Sequence, residues 1–256
     1  MKVDIKTKAE IDRMREAYRM SAEIRDICAE HVAPGVTTGE INDLVVAYCK
    51  KHNVRASFYG CYDFPGHICV SINEEVIHGI PSYNRMIMPG DLVKTDVGIF
   101  KNGFNGDTSR TVALSVSDPR TLQLVETTKA CLKAGIAACG PGVHLGDVGY
   151  AIEQTALAAG FGVVRSWIGH GVGRKVHEDP EVPNFGKPGT KLRLLPGMTI
   201  AIEPMITMTK AGEKTDVLDD GWTVVTRDRC LAAHFEHTVA ITDDGCEILT
   251  LPADYP

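Results

Sequence analysis

The stretch Pro89-Gly90-Asp91-Leu92-Val93-Lys94-Thr95-Asp96 returns in outline as Pro196-Gly197-Met198-Thr199-Ile200-Ala201-Ile202-Glu203, 107 positions further on (196 − 89). At the same displacement, Pro34-Gly35-Val36-Thr37-Thr38-Gly39-Glu40-Ile41 falls on Pro141-Gly142-Val143-His144-Leu145-Gly146-Asp147-Val148, and an amphipathic segment follows each. Pro-Gly pairs are common turn punctuation, so either match alone proves little. Two matches at one displacement, with Asp96 and Glu203 each closing an apolar run, indicate a duplicated unit. After a longer loop in the second copy, Asp107 followed by TSRTVAL resembles Glu236 followed by HTVAITD, a second acidic pair. Each half, about 1–117 and 118–256, then reads helix, helix, strands. Two such halves facing each other predict a single α+β domain with a central sheet.

Local signals agree with that reading. Thr7 and Glu10 form a capping-box pattern ahead of Ile11, Met14, Tyr18, Ile24 and Ile27 at helical spacing, and Pro34-Gly35 ends the helix. A second helix is expected from near Thr38 to about His52, with Ile41, Leu44, Val45 and Tyr48 on one face. Between Ile68 and Leu114 the chain turns rich in Val, Ile and Thr, broken by turn signals at Met88-Pro89-Gly90-Asp91 and Lys101-Asn102-Gly103.

Composition narrows the function classes. The 256 residues are 44% hydrophobic and 23% charged with a net charge of −6, acidic and basic residues being interspersed. No basic stripe is available to follow a phosphate backbone, so nucleic acid is not an expected partner. The start MKVDIKTKAE lacks the apolar core of a signal peptide, and no apolar run reaches the roughly 18 residues suited to a bilayer. A cytoplasmic protein without membrane attachment is expected. The eight cysteines contain no C-x-x-C pair and are read as reduced, mostly buried thiols.

A carboxylate among apolar strand neighbours is costly unless it is paired or bound to metal. Asp96 and Asp107 flank the Lys101-Asn102-Gly103 turn almost symmetrically, so a hairpin brings them within a residue or two of opposition. A lone Asp is most simply an exposed strand residue or a turn cap. Four acids in repeat-related places point instead to divalent cations, two of them held by bridging carboxylates and activating a water. Oxygen-rich sites with one or two imidazoles suit manganese, iron, cobalt or zinc. Among nine histidines, His31, His52, His67, His144 and His234 are read as surface or satisfied core residues. The residues alone leave His78, His170, His177 and His237 unranked as ligand, acid or bystander.

Taken together, His78-Gly79-Ile80-Pro81, Asp96-Val97, Gly106-Asp107-Thr108-Ser109-Arg110, the stretch from Gly169 to His177, Ile202-Glu203-Pro204 and Glu236-His237-Thr238 resemble type I methionine aminopeptidases of the compact bacterial kind, from about Ile5 to Leu249. Each motif is weak alone; their order and spacing are specific. The resemblance implies the pita-bread fold of two pseudo-symmetric halves. It also implies hydrolysis, during synthesis, of N-terminal methionine from chains whose second residue is small. By position, Asp96, Asp107, His170, Glu203 and Glu236 would hold two divalent ions (Co²⁺, Mn²⁺, Fe²⁺ or Zn²⁺), with Asp107 and Glu236 bridging. Glu203 would also be general base, His177 would stand near the scissile carbonyl and His78 near the substrate amide. His237 keeps its ordinary reading. Phe64, Cys69 and Trp222 fall where family members line the methionine pocket. The chain departs from the common pattern at Asn105, Ile77 and Val176. Expected partners are nascent polypeptide N-termini, with transient ribosome contact, for a monomeric enzyme. An Xaa-Pro peptidase of the same fold, or a non-catalytic binding module, are the alternatives.

Overall fold

Thr7 caps α1 (Lys8–Glu30) as its sequence predicts: its hydroxyl accepts from the Glu10 amide while the Glu10 carboxylate accepts from the Thr7 amide. Thr37 and Glu40 repeat the device at α2 (Thr38–His52). Met14, Tyr18 and Ile24 of α1, with Ile41, Val45 and Tyr48 of α2, are buried on inward faces. A computed structural model describes residues 3–252. Among these, two further α-helices follow, α3 (Pro119–Ala137), capped by the Asp118 carboxylate, and α4 (Leu145–Ala158), and the two pack on each other.

The strands of the described residues form five antiparallel sheets. In the first half, Leu92–Val97 lies between Cys69–Ile72 and Thr108–Ala113. In the second, Thr199–Ile202 lies between Gly169–Gly171 and His237–Ile241. An isolated bridge between Ser109 and Glu236 joins the two sets. The apolar interior is divided likewise. One cluster gathers Ile24, Ile41, Val45, Val70 and Val93, the other Leu124, Val148, Ile152, Ile200 and Val239. Burial of such side chains stabilises by about 1.5–3 kcal/mol each, and a further cluster of Met14, Tyr18, Phe104, Val172 and Ala201 joins the two halves.

The duplication is visible in the backbone. Gly35 N–H donates to Ile87 O at 2.9 Å and Gly142 N–H to Leu194 O at 2.8 Å; Thr37 bridges to Met86, and His144 to Arg193. All these pairs differ by 107 positions. The Asn102-Gly103 turn has both residues at positive φ, 56° and 87°, the backbone of a tight hairpin whose twist matches its strands. It sets Asp96 opposite Ser109, two residues from Asp107.

One expected equivalence is corrected. The ladders pair Asp96 with Ser109 and Ile202 with His237, so continuing the second by one residue sets Glu203 opposite Glu236. Glu236 is therefore the counterpart of Ser109, a displacement of 127 positions (236 − 109), and the counterpart of Asp107 is His234 (234 − 107). Matching side-chain bonds agree: Thr238 Oγ1 donates to Asp107 O at 2.9 Å, and Thr111 Oγ1 to His234 O at 2.7 Å. The true match is Thr111-Val112-Ala113-Leu114 with Thr238-Val239-Ala240-Ile241. Aligning on the acidic residues instead slides the strands by two positions, which preserves the side-chain face and so conceals the error.

Candidate metal centre

Where the two sets of strands meet, they enclose a cavity of about 450 Å³. Asp96, Asp107, His170, Glu203 and Glu236 line it, together with apolar side chains such as Phe58, Phe64, Ile77, Val176 and Met205. Asp107, Glu203 and Glu236 are 4%, 8% and 2% exposed. Burial pushes all four carboxyls upward, Asp96 to about 7 and Glu203 to about 8. Asp107 and Glu236 are also driven up by the neighbouring acids. So many buried acids cannot all ionise together without a compensating charge.

His170 shows what that charge is. Its Nδ1 lies 2.9 Å from Gly171 O, and because a carbonyl only accepts, Nδ1 carries the proton of the neutral ring. Burial holds the ring neutral, pushing it down to about 3. Nε2 therefore presents a lone pair, 3.4 Å from Glu203 Oε1 and 3.7 Å from Asp107 Oδ2, with no hydrogen to share. One donor atom each from Asp107, His170 and Glu236 lies within 4.8 Å of the others. Among the described residues, Asp96 Oδ1 and Glu236 Oε1 are buried without a hydrogen-bond partner. Donor atoms converging on one point, all acceptors, fit a cation with hard oxygen and imidazole ligands.

The remaining expected residues surround this cluster. His78 adopts φ 61°, and the following Gly79 packs so tightly that a Cβ there would lie 2.3 Å from Val70 O. The His78 ring stands edge-on to Trp167 and Trp222, at 5.4 and 6.3 Å. His177 is exposed at the rim, its ring 4.4 Å from that of His170, with Tyr62 stacked on it at 5.6 Å. Phe64 and Cys69 are buried with Phe58 and Val176 in a small cluster of their own, which Trp222 meets edge-on at 5.0 Å. Ile77 and Val176, two of the departures, line the cavity. Asn105, the third, donates from Nδ2 to Gly173 O and Arg174 O at 3.2 and 2.9 Å, tying down the glycine-rich loop.

Four of the five histidines read as ordinary have an ordinary setting: His31 and His144 bond backbone carbonyls, His52 packs tilted against Tyr48, and His67 stacks on Tyr59. His237 bonds Thr250 Oγ1 at 2.9 Å. His234 is the exception. It is 1% exposed, and its Nε2 lies 3.6 Å from Glu203 Oε2. Its spacing of two from Glu236 in extended chain, which puts both side chains on one face, was the available signal. Phe58, Cys61, Tyr62 and Trp167 also line the cavity without having been foreseen, since aromatic and thiol side chains in loops carry no periodic signature.

Residues 12–243 match the sequence profile of metallopeptidase family M24. The methionine aminopeptidase of Clostridium acetobutylicum is 44% identical over 247 residues, covering 96% of this chain and 98% of that protein. The crystal structure of methionine aminopeptidase from Thermotoga maritima superposes with a TM-score of 0.94 at 41% identity, over 97% of this chain and 99% of that one. Prolidase from Pyrococcus furiosus shares the fold at 24% identity and a TM-score of 0.78, but this chain spans only 65% of it. On the profile match and these full-length likenesses, the chain belongs to the methionine aminopeptidases of metallopeptidase family M24.

Proposed function

We propose that the protein hydrolyses the first peptide bond of nascent chains that begin with methionine followed by a small residue, using two divalent ions. The observation that carries this reading is the union, in one cavity, of a buried acid–imidazole cluster and an apolar lining. Asp96, Asp107, His170, Glu203 and Glu236 would hold the ions, Mn²⁺, Fe²⁺, Co²⁺ or Zn²⁺. Bound there, such ions polarise a carbonyl and make water a stronger acid.

The chain's own groups do the rest. Glu203 takes a proton from the attacking water and passes it to the departing amine. His177, at the rim, reaches the scissile carbonyl oxygen, and His78 reaches the substrate amide. Phe64, Cys69 and Trp222 receive the methionine side chain, so the bond after residue one is the one held beside the acids. The second side chain lies against the His78 and His177 loops, where only small residues fit. The enzyme works as one catalytic unit with halves 1–117 and 118–256, a cytoplasmic monomer in transient contact with the ribosome.

Released amino acid from Met-Ala-Ser, Met-Lys-Ser, Leu-Ala-Ser and Ala-Pro-Gly, with each metal added in turn, tests the reading. Met-Ala-Ser should be cleaved far faster than the others, and acetylated Met-Ala-Ser not at all. Preferred cleavage of Ala-Pro-Gly would make the protein an Xaa-Pro peptidase. Inertness toward all four would leave a non-catalytic module.

A further inference from the structure

His234 holds the position in the second half that Asp107 holds in the first, and its partner Ser109 is the counterpart of Glu236. The contact between His234 and Ser109 thus mirrors the one between Asp107 and Glu236 across the Ser109–Glu236 bridge. Where one half supplies a carboxylate to the cluster, the other supplies an imidazole. That ring is buried, Ser109 Oγ lies 3.0 Å from its Nδ1, and its Nε2 has no hydrogen-bond partner among the described residues. The two oxygens of Glu203 are consequently bracketed by rings, Oε1 by His170 Nε2 at 3.4 Å and Oε2 by His234 Nε2 at 3.6 Å.

We propose that His234 is a positioning residue for Glu203, donating from Nε2 to Oε2. Ser109, unlike the Gly171 carbonyl beside His170, has a hydroxyl that can donate to Nδ1, and the carboxylate facing the other nitrogen favours a proton on Nε2. The 3.6 Å separation has to shorten by about 0.4 Å to reach hydrogen-bond length. Oε2 is then fixed, and Oε1 stays turned toward His170 and the attacking water.

This rests on Glu203 acting as the base, so the experiment keeps the two ideas apart. The parent, His234→Leu, His234→Gln, Ser109→Ala, Glu203→Gln and the His234→Leu/Glu203→Gln double variant are assayed on Met-Ala-Ser at saturating Mn²⁺, with Mn²⁺ stoichiometry and affinity measured by calorimetry. His234→Leu should lower kcat by about 10–100-fold with KM little changed, the size of a lost hydrogen bond to a charged group. His234→Gln, which keeps an N–H donor, should recover most of it, and Ser109→Ala should show a smaller loss of the same kind. The double variant should fall little below Glu203→Gln alone, and Mn²⁺ stoichiometry should stay at the parent value in the His234 and Ser109 single variants. Loss of one equivalent of Mn²⁺ in His234→Leu would make His234 a ligand and overturn the proposal. So would equal losses in the Gln and Leu variants, or losses that multiply in the double variant. Parent-like turnover by Glu203→Gln would overturn the base assignment instead.

Discussion

At the residue scale, His177 shows how position and role can be separated by experiment. Its ring is exposed, touches the His170 ring at 4.4 Å and is covered on one side by Tyr62. It stands exposed at the rim rather than buried with the acids, so His177→Ala should leave bound metal nearly intact. Loss of a group that hydrogen-bonds the reacting carbonyl should lower kcat by about 10²-fold. Metal analysis beside single-turnover kinetics checks both halves, and stoichiometric metal loss would make His177 a ligand. The acids were legible from sequence because a carboxylate amid Val and Ile demands a compensating charge, and their repetition in the two halves reinforced that demand. His234 was not legible. A buried histidine is ordinary in isolation, and the alignment that would have placed it opposite Asp107 was hidden by a two-residue slip that keeps the same face.

At the scale of elements, both helix starts read from sequence hold because capping boxes are short-range devices that four residues determine alone. The hairpin between Asp96 and Asp107 was readable for the same reason. The glycine-rich stretch from Gly169 to His177 was not, since its path is set by contacts distant in sequence. Asn105 supplies one of them. Its side chain is buried and bonds two carbonyls of the loop that runs between His170 and His177, and its own amide bonds Gly173 O at 2.7 Å. Asn105→Ala should cost about 1 kcal/mol, because Arg174 O loses its side-chain donor while Gly173 O keeps the Asn105 backbone amide. It should also lower kcat/KM severalfold as the loop loosens. Urea titration and peptide kinetics measure the two effects; a variant unchanged in both would leave Asn105 without a role in holding the loop.

At the scale of the whole molecule, the fold brings four carboxylates into one buried place, and that has a consequence for stability without metal. In an unfolded chain these groups ionise near pH 4, whereas in the fold Asp96 is pushed up to about 7 and Glu203 to about 8. At these two groups the folded chain holds more protons than the unfolded one between those limits. His78, His170, His234 and His237, held neutral in the fold by desolvation, act oppositely until they are neutral in both states above about pH 7. Above about pH 7 unfolding therefore releases protons from the acids, so the stability of the metal-free protein falls as pH rises. A divalent ion reverses the balance, because it takes the place of the protons and binds more tightly where fewer must be displaced. Stabilisation by a ligand grows with its concentration relative to Kd. Calorimetric scans of the chelated protein at about pH 7.0, 7.5, 8.0 and 8.5 should therefore show a falling Tm, and the increment from a fixed Mn²⁺ concentration should widen across the same series. A flat Tm in chelator with a constant Mn²⁺ increment would mean that the four acids are already ionised in the empty fold, stabilised by neighbours other than a cation.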